Sequence, residues 1–400
     1  MNVDVEALGS VSRTARKGGE RAADNLTGMT GIDARVDVTG VTLASADDLA
    51  QDERRIGVAV DLSGGIEGAS LLTFSPAGAE TLLDALVPGS DVAESAIAEV
   101  GNVVTSGFVD GWADHLETTV DVSPPEYVEG TGAGLLDAAG LLDDAGPLDA
   151  SGFDRDRALA FRSEVGAVGE ALDVEFHLFP DPASMQQLLG GDGVAIEELD
   201  TLREMARSGA RTASESVSEM TGIDSRVDVT RLSFVPVEDV PAQLPAERYV
   251  GAAFEFEGTP RGYVLILFDE ASAREVVGAL VPGTESVEEF DGMARSAMEE
   301  IGNVMTSSFV DGWANVLETT IDISPPQFVH DVGRAVAESV VARLGQRQAD
   351  AVLFDTVLRA DDRAFDCEIY VLPDEREFRD ALDDIDPGDT AERTTRAGPL

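Results

Sequence analysis

Apolar residues recur at helical spacing in two long stretches that match one another. Ile97, Val100, Val104, Phe108, Trp112 and Leu116 fall along one stripe of a helix predicted over about residues 95–118. Met298, Ile301, Met305, Phe309, Trp313 and Leu317 draw the same stripe over about 296–319. The opposite face is polar both times, with Glu99, Asn102, Ser106 and Asp110, then Glu300, Asn303, Ser307 and Asp311. Each helix leads through a short β pattern into Ser-Pro-Pro, at 123–125 and at 324–326.

The rest of the chain repeats in the same order. Proline-free helical patterns at about 8–27 and 198–219 run through Thr-Gly into the β segments 35–39 and 226–230. Strand-like runs follow at 55–62 and 68–74, and again at 249–256 and 262–268, each pair joined by a Gly-containing turn that predicts a hairpin. Short helices at 77–86 and 271–280 stop at Val-Pro-Gly, a strong breaker. A second hairpin closes each half, 157–165 with 172–179 and 351–359 with 363–372. Repetition in fixed order predicts two homologous tandem domains, 1–195 and 196–385, with a frayed polar tail at 386–400. The halves differ after the double proline. Residues 130–152, rich in Gly, Ala, Leu and Asp, read as a flexible insertion whose Leu135 and Leu141 pairs are solvated, while 330–344 reads as a helix.

Charge narrows the function classes. The chain has 28 basic and 77 acidic residues, a formal net charge of −49, and Lys17 as its one lysine. Such a surface repels nucleic-acid phosphates and anionic lipid. Multimolar salt shortens the self-repulsion to a few ångströms, so the composition points to a halophile. The N-terminus lacks the apolar run of a signal peptide, and no segment approaches the ~18–20 apolar residues of a membrane span. A cytoplasmic protein is expected, without nucleic-acid binding or membrane insertion. A single cysteine, Cys367, excludes an intramolecular disulfide and lies in a strand-like run that predicts a buried thiol. His115, His177 and His330 are scattered, and no metal site is expected.

An amphipathic helix with a solvated face explains most of the motif, but two features go beyond it. Gly101, Gly111, Gly302 and Gly312 sit inside the predicted helices, where each costs about 1 kcal/mol relative to Ala. Close approach of another backbone would explain them. Asn is a mediocre helix former, yet stands at the same mid-helix place twice. Ser95 precedes Glu99 by four residues and Asn102 follows by three, so all three share a face; Ser296, Glu300 and Asn303 do the same.

The spacing Ser-x3-Glu-x2-Asn-x22-Pro resembles the signature of the CheC family of chemotaxis phosphatases, which includes CheX and FliY. Both copies match at every position, through Pro125 and Pro326. The resemblance implies a pseudo-symmetric domain, α/β in the α+β sense, with an antiparallel-rich sheet covered on one face by two long helices. In two-site members both helices carry Glu and Asn. Here the earlier helix has Arg13 and Arg16 in the first half, and Glu204 and Arg207 in the second. Arg accepts no hydrogen bond, so these sites are expected to be dead, leaving one per domain.

The resemblance further implies hydrolysis of the aspartyl phosphate of the response regulator CheY, with no cofactor of the chain's own and Mg2+ held by the regulator. Asn102 and Asn303 would orient the attacking water, and Glu99 and Glu300 would pair with a regulator lysine. Ser95, Ser296, Pro125 and Pro326 would support them, at the helix start and in helix–strand packing. The alternative is a non-catalytic scaffold for CheD or taxis adaptors. A FliY-like switch component is the third reading, though no C-terminal switch domain is visible.

Overall fold

The computed structural model describes the chain apart from residues 1, 4, 46–53, 88–92, 132, 142–157, 168–171, 191–193, 245–246, 282–288, 318, 361–364 and 384–400. The tail 386–400 thus lies outside the described residues. Two compact units emerge, Met1–Gly193 with Phe234–Asp239, and Val194–Ser233 with Val240–Leu400. The boundary falls within two residues of the one expected at 195, except that a short stretch of the second half packs as part of the first unit.

The first unit runs α1 (Val5–Thr30), β1 (Ala34–Ala44), β2 (Arg54–Gly64), β3 (Gly68–Phe74), α2 (Pro76–Leu86), α3 (Ala93–His115), β4 (Val120–Val122), β5 (Glu126–Thr131), α4 (Ala133–Ala138), β6 (Ala158–Ala167), β7 (Asp173–Pro180) and α5 (Pro182–Leu189). Its strands lie in the order β1-β6-β7-β3-β2-β4, with β5 also on β2. Every pairing among them is antiparallel. From either edge the order reads alike, a flanking strand and then a hairpin, which is the expected pseudo-symmetry. α1 and α3 lie side by side over the sheet. Gly18 meets Gly111 and Ala22 meets Gly107, so the two helices run antiparallel.

The second unit repeats this with α6 (Ile196–Thr221), β8 (Ser225–Pro236), β9 (Arg248–Glu257), β10 (Gly262–Asp269), α7 (Glu270–Leu280), α8 (Gly292–Val316), β11 (Asp322–Ile323), β12 (Gln327–Val332), α9 (Gly333–Leu344), β13 (Asp350–Ala360), β14 (Asp366–Pro373) and α10 (Glu375–Asp383). The order is β8-β13-β14-β10-β9-β11, with β12 also on β9. The predicted helix at 330–344 begins only at Gly333. His330 lies instead on β12, whose six residues all pair with β9.

The cores form where the apolar stripes predict. Ile97, Val100, Val104, Phe108 and Trp112 are buried, as are Met298, Ile301, Met305, Phe309 and Trp313. Phe108 stacks on Phe176 at 4.0 Å between ring centres, and Trp112 meets Phe161 edge-on at 4.7 Å. Trp313 meets Phe354 in the same way, also at 4.7 Å. Cys367 is buried on β14, as expected.

The insertion after the double proline does not behave as a flexible linker where it is described. Residues 133–138 form α4. Leu135, Leu136 and Leu141 are buried with Ala59, Leu71, Val128 and Phe179. Hydrophobic burial of three leucines outweighs the low-complexity composition, because each is worth about 1.5–3 kcal/mol out of water. Residues 142–152 lie outside the described residues.

Candidate functional site

The motif helices α3 and α8 place the same side chains at the same positions in each unit. Glu99 and Glu300 are exposed, and Asn102 and Asn303 are half-buried one turn further on. Among the described residues, none of these four side chains forms a hydrogen bond or an ion pair. Carboxylate and amide are thus held out to solvent from a helix whose other face is locked in the core. Such unengaged groups can meet a partner molecule without first breaking internal bonds.

Ser95 and Ser296 are exposed and lie inside their helices, which begin at Ala93 and Gly292. They do not start the helix as expected. Asp291 is the N-cap of α8, without a side-chain cap bond.

The double prolines have a defined place that the sequence did not reveal. β4 and β5 both pair with β2, with Leu62 opposite Val122 and Ala59 opposite Glu126, so three residues face two at the break. Ser123, Pro124 and Pro125 fill it. The Ser123 amide donates to the Asp61 carbonyl at 2.9 Å, and the Asp61 amide donates to Ser123 Oγ at 3.0 Å. Ser324 makes the same two bonds with Glu255, at 2.8 and 2.9 Å. Proline has no N–H to contribute to a ladder, so a bulge is where the pair fits.

The glycine expectation holds in part. A Cβ on Gly111 would sit 2.5 Å from the Gly18 Cα, and one on Gly107 2.8 Å from the Ala22 Cα. Backbone approach explains these. Gly101 instead faces the Val58 side chain, Gly302 faces Ala252 Cβ, and Gly312 has only an ordinary 3.6 Å contact with Gly209.

Apart from Glu204, the early helices carry other side chains at the corresponding positions. Arg13 is exposed; Arg16 is half-buried and donates to Asp239, a bond that holds its guanidinium above the usual pKa. Glu204 pairs with Arg203 at 2.9 Å, and Arg207 is half-buried. Neither helix presents an Asn at the motif position.

Beside each motif face lies a rim that sequence reasoning passed over. In the first unit Glu129 accepts from Arg54 at 3.0 Å and from the Tyr127 hydroxyl at 3.2 Å; burial, then Glu129, raises the Tyr127 pKa. In the second, Arg295 pairs with Glu299 at 2.9 Å and lies 5.2 Å over the Phe328 ring. His330 bonds Glu270 at 3.0 Å, a contact that, with Arg274, lowers the Glu270 pKa. Aligning the two repeats residue by residue would have exposed the difference.

A model of the CheC-like family matches residues 92–129 and 293–330, both motif helices and the strands after them. The chain is 40% identical over 193 residues to CheC1 of Halobacterium salinarum, whose name carries a provisional CheY-P phosphatase assignment; the match spans 48% of this chain and 98% of that protein. It is 24% identical over 198 residues to the CheY-P phosphatase CheC of Bacillus subtilis, spanning 47% and 93%. Among solved structures, FliY of Thermotoga maritima is 19% identical and covers 51% of this chain and 98% of its own, with a TM-score of 0.37. Each curated relative is about as long as one of the two units. Among the described residues, no helix is long and apolar enough to cross a membrane.

Proposed function

The chain belongs to the CheC-like family, and from that premise we propose that it hydrolyses the aspartyl phosphate of the response regulator CheY at two sites, one per unit. The observation that carries this is the twofold display of an unengaged Glu and Asn, one helical turn apart, on a face turned away from the core. An acyl phosphate is already labile. What remains is to hold a water in line with phosphorus, and an amide suits this because it both accepts from and donates to water.

Asn102 and Asn303 take that role. Glu99 and Glu300 dock against a cationic side chain beside the phosphoryl group and draw it aside. The metal that offsets phosphoryl charge, Mg2+, belongs to the regulator. Arg13, Arg16 and Arg207 cannot accept from water, and Glu204 is engaged with Arg203, so the early helices contribute no third or fourth site.

The test is phosphate release from the regulator, fed with acetyl phosphate, in molar KCl. Asn102→Ala together with Asn303→Ala should abolish acceleration while leaving the far-ultraviolet circular dichroism unchanged. Undiminished turnover in that double variant would refute the catalytic reading. Binding to CheD or to taxis adaptors is the second reading; co-purification with an inactive wild type would favour it.

A further inference from the structure

The two sites share their motif but not their surroundings. Glu94 lies five residues before the motif Glu on α3, and the repeat puts Arg295 there on α8. Register matches Tyr127 with Phe328, Glu129 with His330, and Glu80 with Arg274. Across these positions three carboxylates give way to two guanidiniums and an imidazole, while Glu270 and Glu299 stand where the first half has Pro76 and Ala98, so the second rim is the less acidic within a chain of net charge −49. In the second unit the cations are also built in: Arg295 lies over Phe328, Arg274 lies 5.6 Å from the centre of Phe290, and Glu270 anchors Arg274 at 2.9 Å and Arg248 at 3.6 Å.

Taking the phosphatase reading as its base, we propose that these rims make the sites unequal: the second captures the phosphorylated partner, and the first binds it more weakly. The partner's chemistry decides the sign. An aspartyl phosphate brings about two negative charges to the motif face. Glu94 opposes that approach, while Arg54 offsets the charge of Glu129; Arg295 bonds Glu299 through Nε, and its two terminal nitrogens remain to meet phosphate or carboxylate.

The distance is right for contact. Eight residues separate Arg295 from Asn303, about 12 Å along a helix. A standard interface buries roughly 800 Å² per partner, wide enough to include that rim. Contact is also what molar salt leaves intact, since screening at 1 M acts beyond about 3 Å. Met293, the one large hydrophobic exposed among the described residues, at 71%, stands at the same end of α8 and adds an apolar contact to the footprint.

The experiment uses the full chain in molar KCl with acetyl-phosphate-fed regulator. Asn102→Ala leaves the second site alone and Asn303→Ala leaves the first. The former should show a KM lower by about fivefold, the upper worth of one exposed charge pair. Arg295→Glu in the Asn102→Ala background should raise KM without moving kcat, and Glu94→Arg in the Asn303→Ala background should lower it. Affinity for the regulator loaded with beryllofluoride, a phosphoryl mimic, should follow the same order. Equal KM values and equal affinities would overturn the inequality while the phosphatase reading stands. Loss of no activity in Asn102→Ala plus Asn303→Ala would sink that reading, with the affinity series still deciding the rim.

Discussion

Gly111 and Gly312 occupy the same place in the repeated motif, yet alanine should act on them in opposite directions. In α3 the added Cβ would lie 2.5 Å from the Gly18 Cα and 2.7 Å from its amide nitrogen, and both obstacles are backbone. Ordinary contact needs about 1 Å more, which only separation of α1 from α3 can supply. Overpacking of this kind costs about 1–3 kcal/mol, against about 1 kcal/mol regained from helix propensity. The net expectation is a loss of up to about 2 kcal/mol. In α8 the corresponding contact is 3.6 Å from Gly209 Cα, so Gly312→Ala keeps the propensity gain of about 0.5–1 kcal/mol. The two tryptophans, Trp112 and Trp313, fall one to a unit. Denaturant unfolding followed by fluorescence in a Trp313→Phe background therefore reports the first unit, and in a Trp112→Phe background the second. Shifts of the same sign at both positions would refute the argument from helix spacing.

Further outcomes follow from other contacts. Leu141→Ala should destabilise the first unit by about 2–4 kcal/mol in the same fluorescence assay, whereas a solvated linker residue would change it by less than about 0.5 kcal/mol. Glu368 sits between the hydroxyls of Tyr249, at 2.9 Å, and Tyr370, at 2.5 Å; burial pushes its pKa from 4.5 up to about 7 despite those bonds. A carboxyl raised on folding binds its proton better in the native state. Its contribution is therefore complete below about pH 4.5 and is lost as pH rises through about 7. Glu368→Gln should accordingly gain stability relative to wild type between pH 5 and 8, measured by denaturant midpoints; a constant difference across that range would contradict this. Ser123→Ala removes the acceptor of the Asp61 amide and should cost about 0.5–1.5 kcal/mol, matched by Ser324→Ala in the second unit.

Most of the architecture was legible because strong periodicities recur. The β3 and β10 runs, the short helices and both motif stripes fall within a few residues of their predicted bounds. The motif residues too were legible, since their spacing survives twice. What escaped has physical reasons. Leu135, Leu136 and Leu141 stand among Gly, Ala and Asp, so local composition masks a burial that depends on strands remote in sequence. The helices begin before Ser95 and Ser296 because a helix can start without a side-chain cap, as α8 does at Asp291. The bulge at the double proline depends on the register of β2 and β9, which no local pattern encodes. The rims went unread because Glu94 and Arg295 lie outside the signature, and their neighbours come from a separate strand.

The Ser-Pro-Pro bulge also limits how a partner can bind. A sheet margin normally offers a row of free amides and carbonyls that an incoming chain can join as one more strand. Here, beside each candidate site, two consecutive residues lack the amide hydrogen, and Ser123 or Ser324 turns its own amide inward to the neighbouring strand. Recruitment by strand addition is thereby blocked at that point of the margin. Recognition there falls to the side chains of the motif helix, and with it to the chemistry of a few positions.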